Sequence, residues 1–184
     1  NRSVYAISKI AAENYVKGYF QKYNIEYNII RFFNVYGPGQ KENFVISKYI
    51  DLASRNKMLK VYGDGNQIRS FCHVDDATDG VLEVIENGKR NTIYNIGNDK
   101  EPITMFKLSK LVASIFKNKI KIQKVPYSKS DRKAEREIIK RIPSIKKIIQ
   151  DTNYTPNVNL LDGLIGLVKK KEILNNKAFI TKLG

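Results

Sequence analysis

The side chains best suited to chemistry stand near the start of the chain, at Tyr5 and Lys9 in the run Tyr5-Ala6-Ile7-Ser8-Lys9. Ala6, Ile7, Ile10, Ala11, Tyr15, Val16, Tyr19 and Phe20 recur at the three-to-four-residue spacing of an amphipathic helix, which should run to about Tyr23. Four residues advance a helix by about 400° and about 6 Å, so a phenol and an ammonium at that spacing can address one ligand from one face. The chemistry this permits is proton transfer. A free tyrosine has a pKa near ~10 and is a poor base at neutral pH, whereas a nearby cation favours the phenolate. Spacing alone leaves a second and commoner outcome open, a packed tyrosine beside a solvated lysine.

The elements that must position such a pair follow in order. Ile25–Phe33 is β-rich and mostly apolar, as expected of a strand buried on both faces, and a helix feeding such a strand is half of an α/β unit. The run ends in Asn34-Val35-Tyr36-Gly37-Pro38-Gly39, where glycine and proline stop regular structure. In open α/β sheets ligands bind at that carboxyl end. Asn34 could equally be a turn residue bonded to its own backbone. Phe44–Asn56 has helical spacing, and Leu59–Tyr62, the turn Gly63-Asp64-Gly65 and the run from Gln67 to His73 read as a hairpin. Arg69 on that hairpin offers the planar fork that suits bidentate anion recognition, or it is a surface charge. His73, the single histidine, leads into a helix over Val74–Asn87 and reads as a structural hydrogen-bonding group. Thr92–Ile96 is a further strand, Thr104 caps the next helix, and Ile120–Val125 reads as an edge strand. Ser128–Arg141 reads as a charged loop or lid, Pro143–Gln150 as a short helix and Asn159–Ile173 as a final helix.

Composition bounds the function. With 184 residues, 42% of them hydrophobic, the chain can bury a core, and no apolar run approaches the roughly 18–20 residues that span a bilayer. A soluble, cytoplasmic protein with no membrane partner is expected. One cysteine, Cys72, excludes an internal disulfide and fits a reducing compartment. Lys and Arg number 33 against 18 Asp and Glu, a net charge of +15, so nucleic acid is one class of partner to consider. The basic runs lack interleaved aromatics, and a solvated lysine-rich surface explains the charge better. The chain opens on Asn1 and enters a helix within a few residues, as a piece of a larger polypeptide would.

Three runs in this order resemble the extended short-chain dehydrogenase/reductase family, in particular its nucleotide-sugar epimerases, dehydratases and decarboxylases. Tyr5-Ala6-Ile7-Ser8-Lys9 is similar to the family's Tyr-x-x-x-Lys motif. Arg31-Phe32-Phe33-Asn34-Val35-Tyr36-Gly37-Pro38 is similar to its next signature, and the run from Val61 to Asp76, with Tyr62-Gly63-Asp64-Gly65 and Arg69, to its third. The resemblance covers nearly the whole chain as the C-terminal half to two-thirds of such an enzyme. It implies an α/β fold, the C-terminal part of an NAD(P)-binding Rossmann-like fold joined to a smaller α/β substrate-binding domain. Residues 1–40 would end the Rossmann-like part, and 41–184 would be mainly the substrate-binding part, with about 66–97 returning to the first.

By the same resemblance, Tyr5 is the acid/base that takes a proton from a sugar hydroxyl, Lys9 holds the ribose of NAD, and Phe32 borders the cofactor. Asn34 and Arg69 would contact the diphosphate of a nucleotide sugar, Phe44, Val45 and Tyr62 would border the nucleotide, and Arg136 or Arg141 would add a phosphate contact. A homodimer is implied for the intact enzyme. The family's glycine-rich turn, G-x-G-x-x-G, has no counterpart among the eleven glycines, and the upstream catalytic Ser/Thr is likewise missing. The chain alone is therefore expected to be inactive, and a catalytically silent nucleotide-sugar-binding fragment is the alternative.

Overall fold

The computed structural model describes residues 2–129 and 138–181. Arg136 lies outside the described residues. Helix α1 (Arg2–Tyr23) ends at Asn24, whose φ of 54° lies in the left-handed region that asparagine tolerates. The chain reverses there into strand β1 (Asn28–Phe32), which pairs in parallel with β6 (Thr92–Ile96), Asn28 opposite Thr92 and Phe32 opposite Ile96. Between them in sequence lies α3 (Val74–Asn87), and after them α5 (Lys146–Asp151). Cys72, Ala77, Val84, Tyr94, Ile96 and Ile148 belong to one buried cluster that joins these elements, with Ile30, Val35 and Val81 packed against it.

A second buried cluster lies on the other side of two very short strands, β2 (Val35–Tyr36) and β5 (Cys72–His73), which pair in parallel. Successive side chains on a strand point to opposite faces. Val35 accordingly packs on the first cluster and Tyr36 belongs to the second. The second cluster is built by α2 (Val45–Ser54), β3 (Leu59–Tyr62), α4 (Met105–Ile115) and α6 (Leu160–Thr181), through residues such as Ile46, Leu59, Leu108 and Leu164. Strand β8 (Ile122–Val125) pairs in parallel with β3 and forms the edge of that two-stranded sheet, as its lysine-bearing pattern anticipates. Strand β4 (Ile68–Arg69) lies between β7 (Ile103–Thr104), antiparallel to it, and β9 (Lys140–Arg141), parallel to it.

Several local expectations hold. Thr104 Oγ1 accepts from the Lys107 amide at 3.1 Å and caps α4, and α3 has the expected bounds. His73 is structural: its Nδ1 accepts from the Asp75 amide at 3.3 Å and caps α3. Asn159 Oδ1 accepts from the Asp162 amide at 2.9 Å at the start of α6.

Three expectations need correction. The hairpin over Leu59–His73 does not form. Gly63 and Gly65 both have positive φ, 70° and 77°, and turn the chain away from β3. The carbonyls of Gly65 and Gln67 then accept from the Phe106 and Met105 amides, supplying the partners that the first turn of a helix lacks, so this segment serves α4 instead of β3. The expected lid over Ser128–Arg141 includes residues 130–137, outside the described residues, but its last two residues form β9. Finally, neither α1 nor β1 is buried as its pattern predicts. Arg31 and Phe32 are exposed at the end of β1, and Ile7, Ile10, Tyr15 and Tyr19 on α1 are each at least 60% exposed. Among the described residues no layer packs on that apolar face.

Candidate functional site

Asn34, Phe44, Val45, Tyr62 and Arg69 come together on one cleft of about 240 Å³. A neighbouring hollow of about 280 Å³ shares Asn34, Phe44 and Val45 and adds Phe32 and Arg141. These residues come from distant parts of the sequence, and short-range geometry sets each one. Asn34 follows β1 with φ 44°, and its Nδ2 donates to the Ser70 carbonyl at 2.8 Å. That bond fixes the side chain and uses one of its two N–H groups, leaving the other as a donor for a ligand. The Ser70 hydroxyl in turn donates to the Asn98 carbonyl. Phe44 is the extended residue that begins α2, so Phe44 and Val45 stand at a helix N-terminus, where backbone N–H groups favour negative charge. Tyr62 ends β3. Arg69 is on the central strand of its three-stranded sheet and donates from Nη1 to the Ile68 carbonyl at 2.8 Å.

Lys48, Lys60 and Arg69 line the cleft, and among the described residues no Asp or Glu does. Phe44, Tyr49, Tyr62, Phe71 and Tyr127 supply aromatic surface. Cations, amide groups and aromatic surface in one cleft suit a ligand that carries both an anionic group and a planar one. Sequence reasoning missed Lys60, Gln67, Met105 and Tyr127 as lining residues. Tyr127 arrives because β8 pairs in parallel with β3, bringing the 3-10 turn Tyr127–Lys129 beside Gly63. A Cβ added at Gly63 would lie 2.4 Å from the Tyr127 ring, so the ring sits directly on that glycine. The one local signal was the conjunction of Gly63 with the residue after Pro126, and only the long-range pairing gives it meaning.

Tyr5 and Lys9 are on one face of α1, as expected. Lys9 Nζ lies 5.6 Å from the Tyr5 ring centroid. Neither residue lines the cleft or the hollow beside it, and Tyr5 is 66% exposed. Their placement relative to the cleft follows from two contacts at different heights. The rings of Phe20 and Tyr27 meet edge-on at 5.9 Å. Seven residues back along the helix, Glu13 meets Arg31, four residues on along the strand, by a paired guanidinium–carboxylate contact of 2.7 and 2.6 Å. Those steps amount to about 10 Å of helix and about 13 Å of strand, so α1 runs antiparallel to β1. Lys9 and Tyr5 then stand about 6 and 12 Å beyond Glu13 along the helix axis, level with the carboxyl end of β1, from which Asn34 follows.

Residues 1–97, more than half of the chain, match the NAD dependent epimerase/dehydratase family. The chain belongs to this family. It is 35% identical over 170 residues to UDP-glucuronic acid decarboxylase 4 of Arabidopsis thaliana, covering 91% of this chain and 37% of that relative. Among solved structures, Pal from Bacillus thuringiensis superposes with a TM-score of 0.80 at 34% identity, over 92% of this chain and 53% of Pal. UDP-glucuronic acid 4-epimerase from Bacillus cereus, solved with UDP-glucuronic acid and NAD, superposes with a TM-score of 0.78 at 26% identity, over 90% of this chain and 52% of the epimerase. The chain thus spans between about a third and a half of the length of these relatives. The family match contains the Tyr5–Lys9 run and the cleft residues from Asn34 to Arg69, whereas Tyr127 and Arg141 lie beyond it.

Among the described residues no helix is long and apolar enough to cross a membrane. No cluster of His, Cys, Asp and Glu able to hold a metal ion occurs among them either.

Proposed function

We propose that this chain is the C-terminal part of an NAD-dependent enzyme that epimerises, dehydrates or decarboxylates a nucleotide sugar, acting in the cytoplasm. The observation that carries the reading is the cleft itself. Asn34 and Arg69 supply N–H donors for a diphosphate, Lys48 and Lys60 add positive charge, and Tyr62 with Phe44 and Val45 border the nucleoside. Arg69 and Arg141 are register partners on parallel strands, which supports a role for both beside one anionic group. The two buried clusters support a division into a dinucleotide-side part and a substrate-side part that meet at β2 and β5.

On this reading Tyr5 Oη takes the proton of a sugar hydroxyl, and Lys9 stabilises the resulting charge arrangement. Bound NAD supplies the hydride acceptor for transient oxidation of the sugar. Lys9, with three N–H donors, would hold ribose hydroxyls of that cofactor, and Phe32, exposed at the end of β1, would border it. The remaining length of the relatives would supply the rest of the cradle. The apolar face of α1 supports pairing of two copies in the intact enzyme, through a hollow of about 530 Å³ lined by Ala11, Asn14, Tyr15 and Gly18. In the intact enzyme, Tyr5→Phe should abolish most turnover while nucleotide-sugar affinity stays within a few-fold of the parent. An unchanged rate would remove the assignment.

The placement of Tyr5 and Lys9 off the cleft favours a second reading of the isolated chain as a binding module without catalysis. Titration of the 184-residue chain with UDP and dTDP tests it. Saturable binding without turnover supports it, and absence of binding removes it.

A further inference from the structure

Among the described positions of α1, only Glu13, Lys17 and Phe20 are half-buried; the rest are exposed. These three are spaced by four and three residues and form the single stripe by which the helix touches the sheet. Continued toward the N-terminus by the same step, the stripe reaches Lys9 and then Tyr5, within about 40° and 80° of Glu13 around the axis. The rotation of α1 that sets where Tyr5 and Lys9 point is therefore the rotation that Glu13 fixes. Glu13 meets both Nε and Nη2 of Arg31, at 2.7 and 2.6 Å. A two-point guanidinium–carboxylate contact restrains direction as well as distance, which a lysine in place of Arg31 could not do. Arg31 in turn is on β1, three residues before Asn34, which follows that strand.

We propose that Glu13 and Arg31 are positioning residues for the reaction, a clamp that aims Tyr5 and Lys9 at a sugar whose diphosphate is held at Asn34 and Arg69. The inference rests on the reading of Tyr5 given above. Half of the Arg31 side chain is exposed, so solvent screens the pair and limits what it adds to stability. Neither residue lines the cleft or the hollow beside it.

The test uses the intact enzyme and measures kcat and KM for the nucleotide sugar. Glu13→Gln and Arg31→Lys each keep a polar side chain but lose the two-point contact. Each should lower kcat about tenfold to a hundredfold, the scale of a misplacement near 1 Å, with KM within about twofold of the parent. The charge-exchanged pair Glu13→Arg with Arg31→Glu should recover a substantial part of kcat. Unchanged kcat in both single variants overturns the proposal. So does a parallel loss of kcat, KM and thermal stability without recovery in the exchanged pair, which marks a merely structural contact. Tyr5→Phe run alongside separates the two readings: an active Tyr5→Phe enzyme sinks the assignment of Tyr5, whereas an inactive one with unaffected clamp variants sinks only the clamp.

Discussion

Arg69 and Arg141 face each other as Cα partners on neighbouring parallel strands, although more than seventy residues separate them in sequence. Arg69 lines the cleft and Arg141 the adjoining hollow, and the two spaces share Asn34, Phe44 and Val45. On the function proposed above, an anion that reaches across both spaces would meet both residues. Arg69→Ala should weaken binding of UDP or dTDP by about tenfold to a hundredfold, the range of hydrogen bonds to a charged group, with a smaller loss for Arg141→Ala at the exposed strand. Calorimetric titration checks this, and equal affinity for the parent and Arg69→Ala would place the diphosphate elsewhere.

Gly163 on α6 and Tyr36 form a tight crossing. A Cβ at Gly163 would lie 2.1 Å from Tyr36 Oη, and that hydroxyl is buried without a hydrogen-bond partner among the described residues. In an open helix Gly→Ala gains about 1 kcal/mol. Here overpacking should reverse the sign and cost about 1–3 kcal/mol. Tyr36→Phe removes the obstructing oxygen and an unsatisfied polar group, so it should be neutral or stabilising alone and should rescue Gly163→Ala. Urea unfolding of the two single variants and the double variant measures the coupling.

The Cys72 thiol is fully buried, and burial, opposed by the Tyr154 hydrogen bond and reinforced by the nearby Asp76 charge, leaves its pKa pushed up to about 11 from an ordinary 9.0. The folded state holds this proton more tightly than the unfolded state. The associated stability is fully present below pH 9.0 and disappears as pH rises toward about 11. Folded protein should resist a thiolate-directed reagent such as iodoacetamide at pH 8, and its labelling rate should track unfolding in denaturant. Rapid labelling of the folded chain would contradict the buried placement.

Asp51 ties α2 to α6. It is 6% exposed and contacts both Lys171 and Arg55. Burial raises its pKa, but hydrogen bonding and charge from Lys171, with a further contribution from Arg55, outweigh that and hold the carboxyl below the ordinary carboxylate range. Its stabilising contribution is therefore present above the unfolded carboxylate pKa and is lost as pH falls through the depressed folded value. Lys171→Met leaves Arg55 as the remaining partner and should cost about 1–3 kcal/mol. It should also weaken the acid-side decline of stability, which thermal melts between pH 3 and 7 would resolve.

The family resemblance carried by three short runs singles out Asn34, Phe44, Val45, Tyr62 and Arg69, and these side chains line one cleft. The expected hairpin failed because the apolar patterns of Leu59–Tyr62 and Ile122–Val125 say that each is a strand but not that they pair with each other. Local pattern also could not show that the carbonyls of Gly65 and Gln67 are needed by α4. Lys60 and Tyr127 were missed for the same reason, since each is unremarkable until β3 and β8 lie side by side.

The sequence by itself determined the helical face that carries Tyr5 and Lys9, the polar end of β1 at Asn34, the caps at Thr104 and Asn159, and the family resemblance. These depend on residue type and on contacts within a few positions, which chain connectivity enforces. Tertiary structure alone decided that Arg69 stands beside Arg141, that Tyr127 rests on Gly63 and that Glu13 meets Arg31. Each is a pairing across long sequence separation, fixed by which elements bury their apolar faces together and by which buried backbone groups then find their hydrogen bonds.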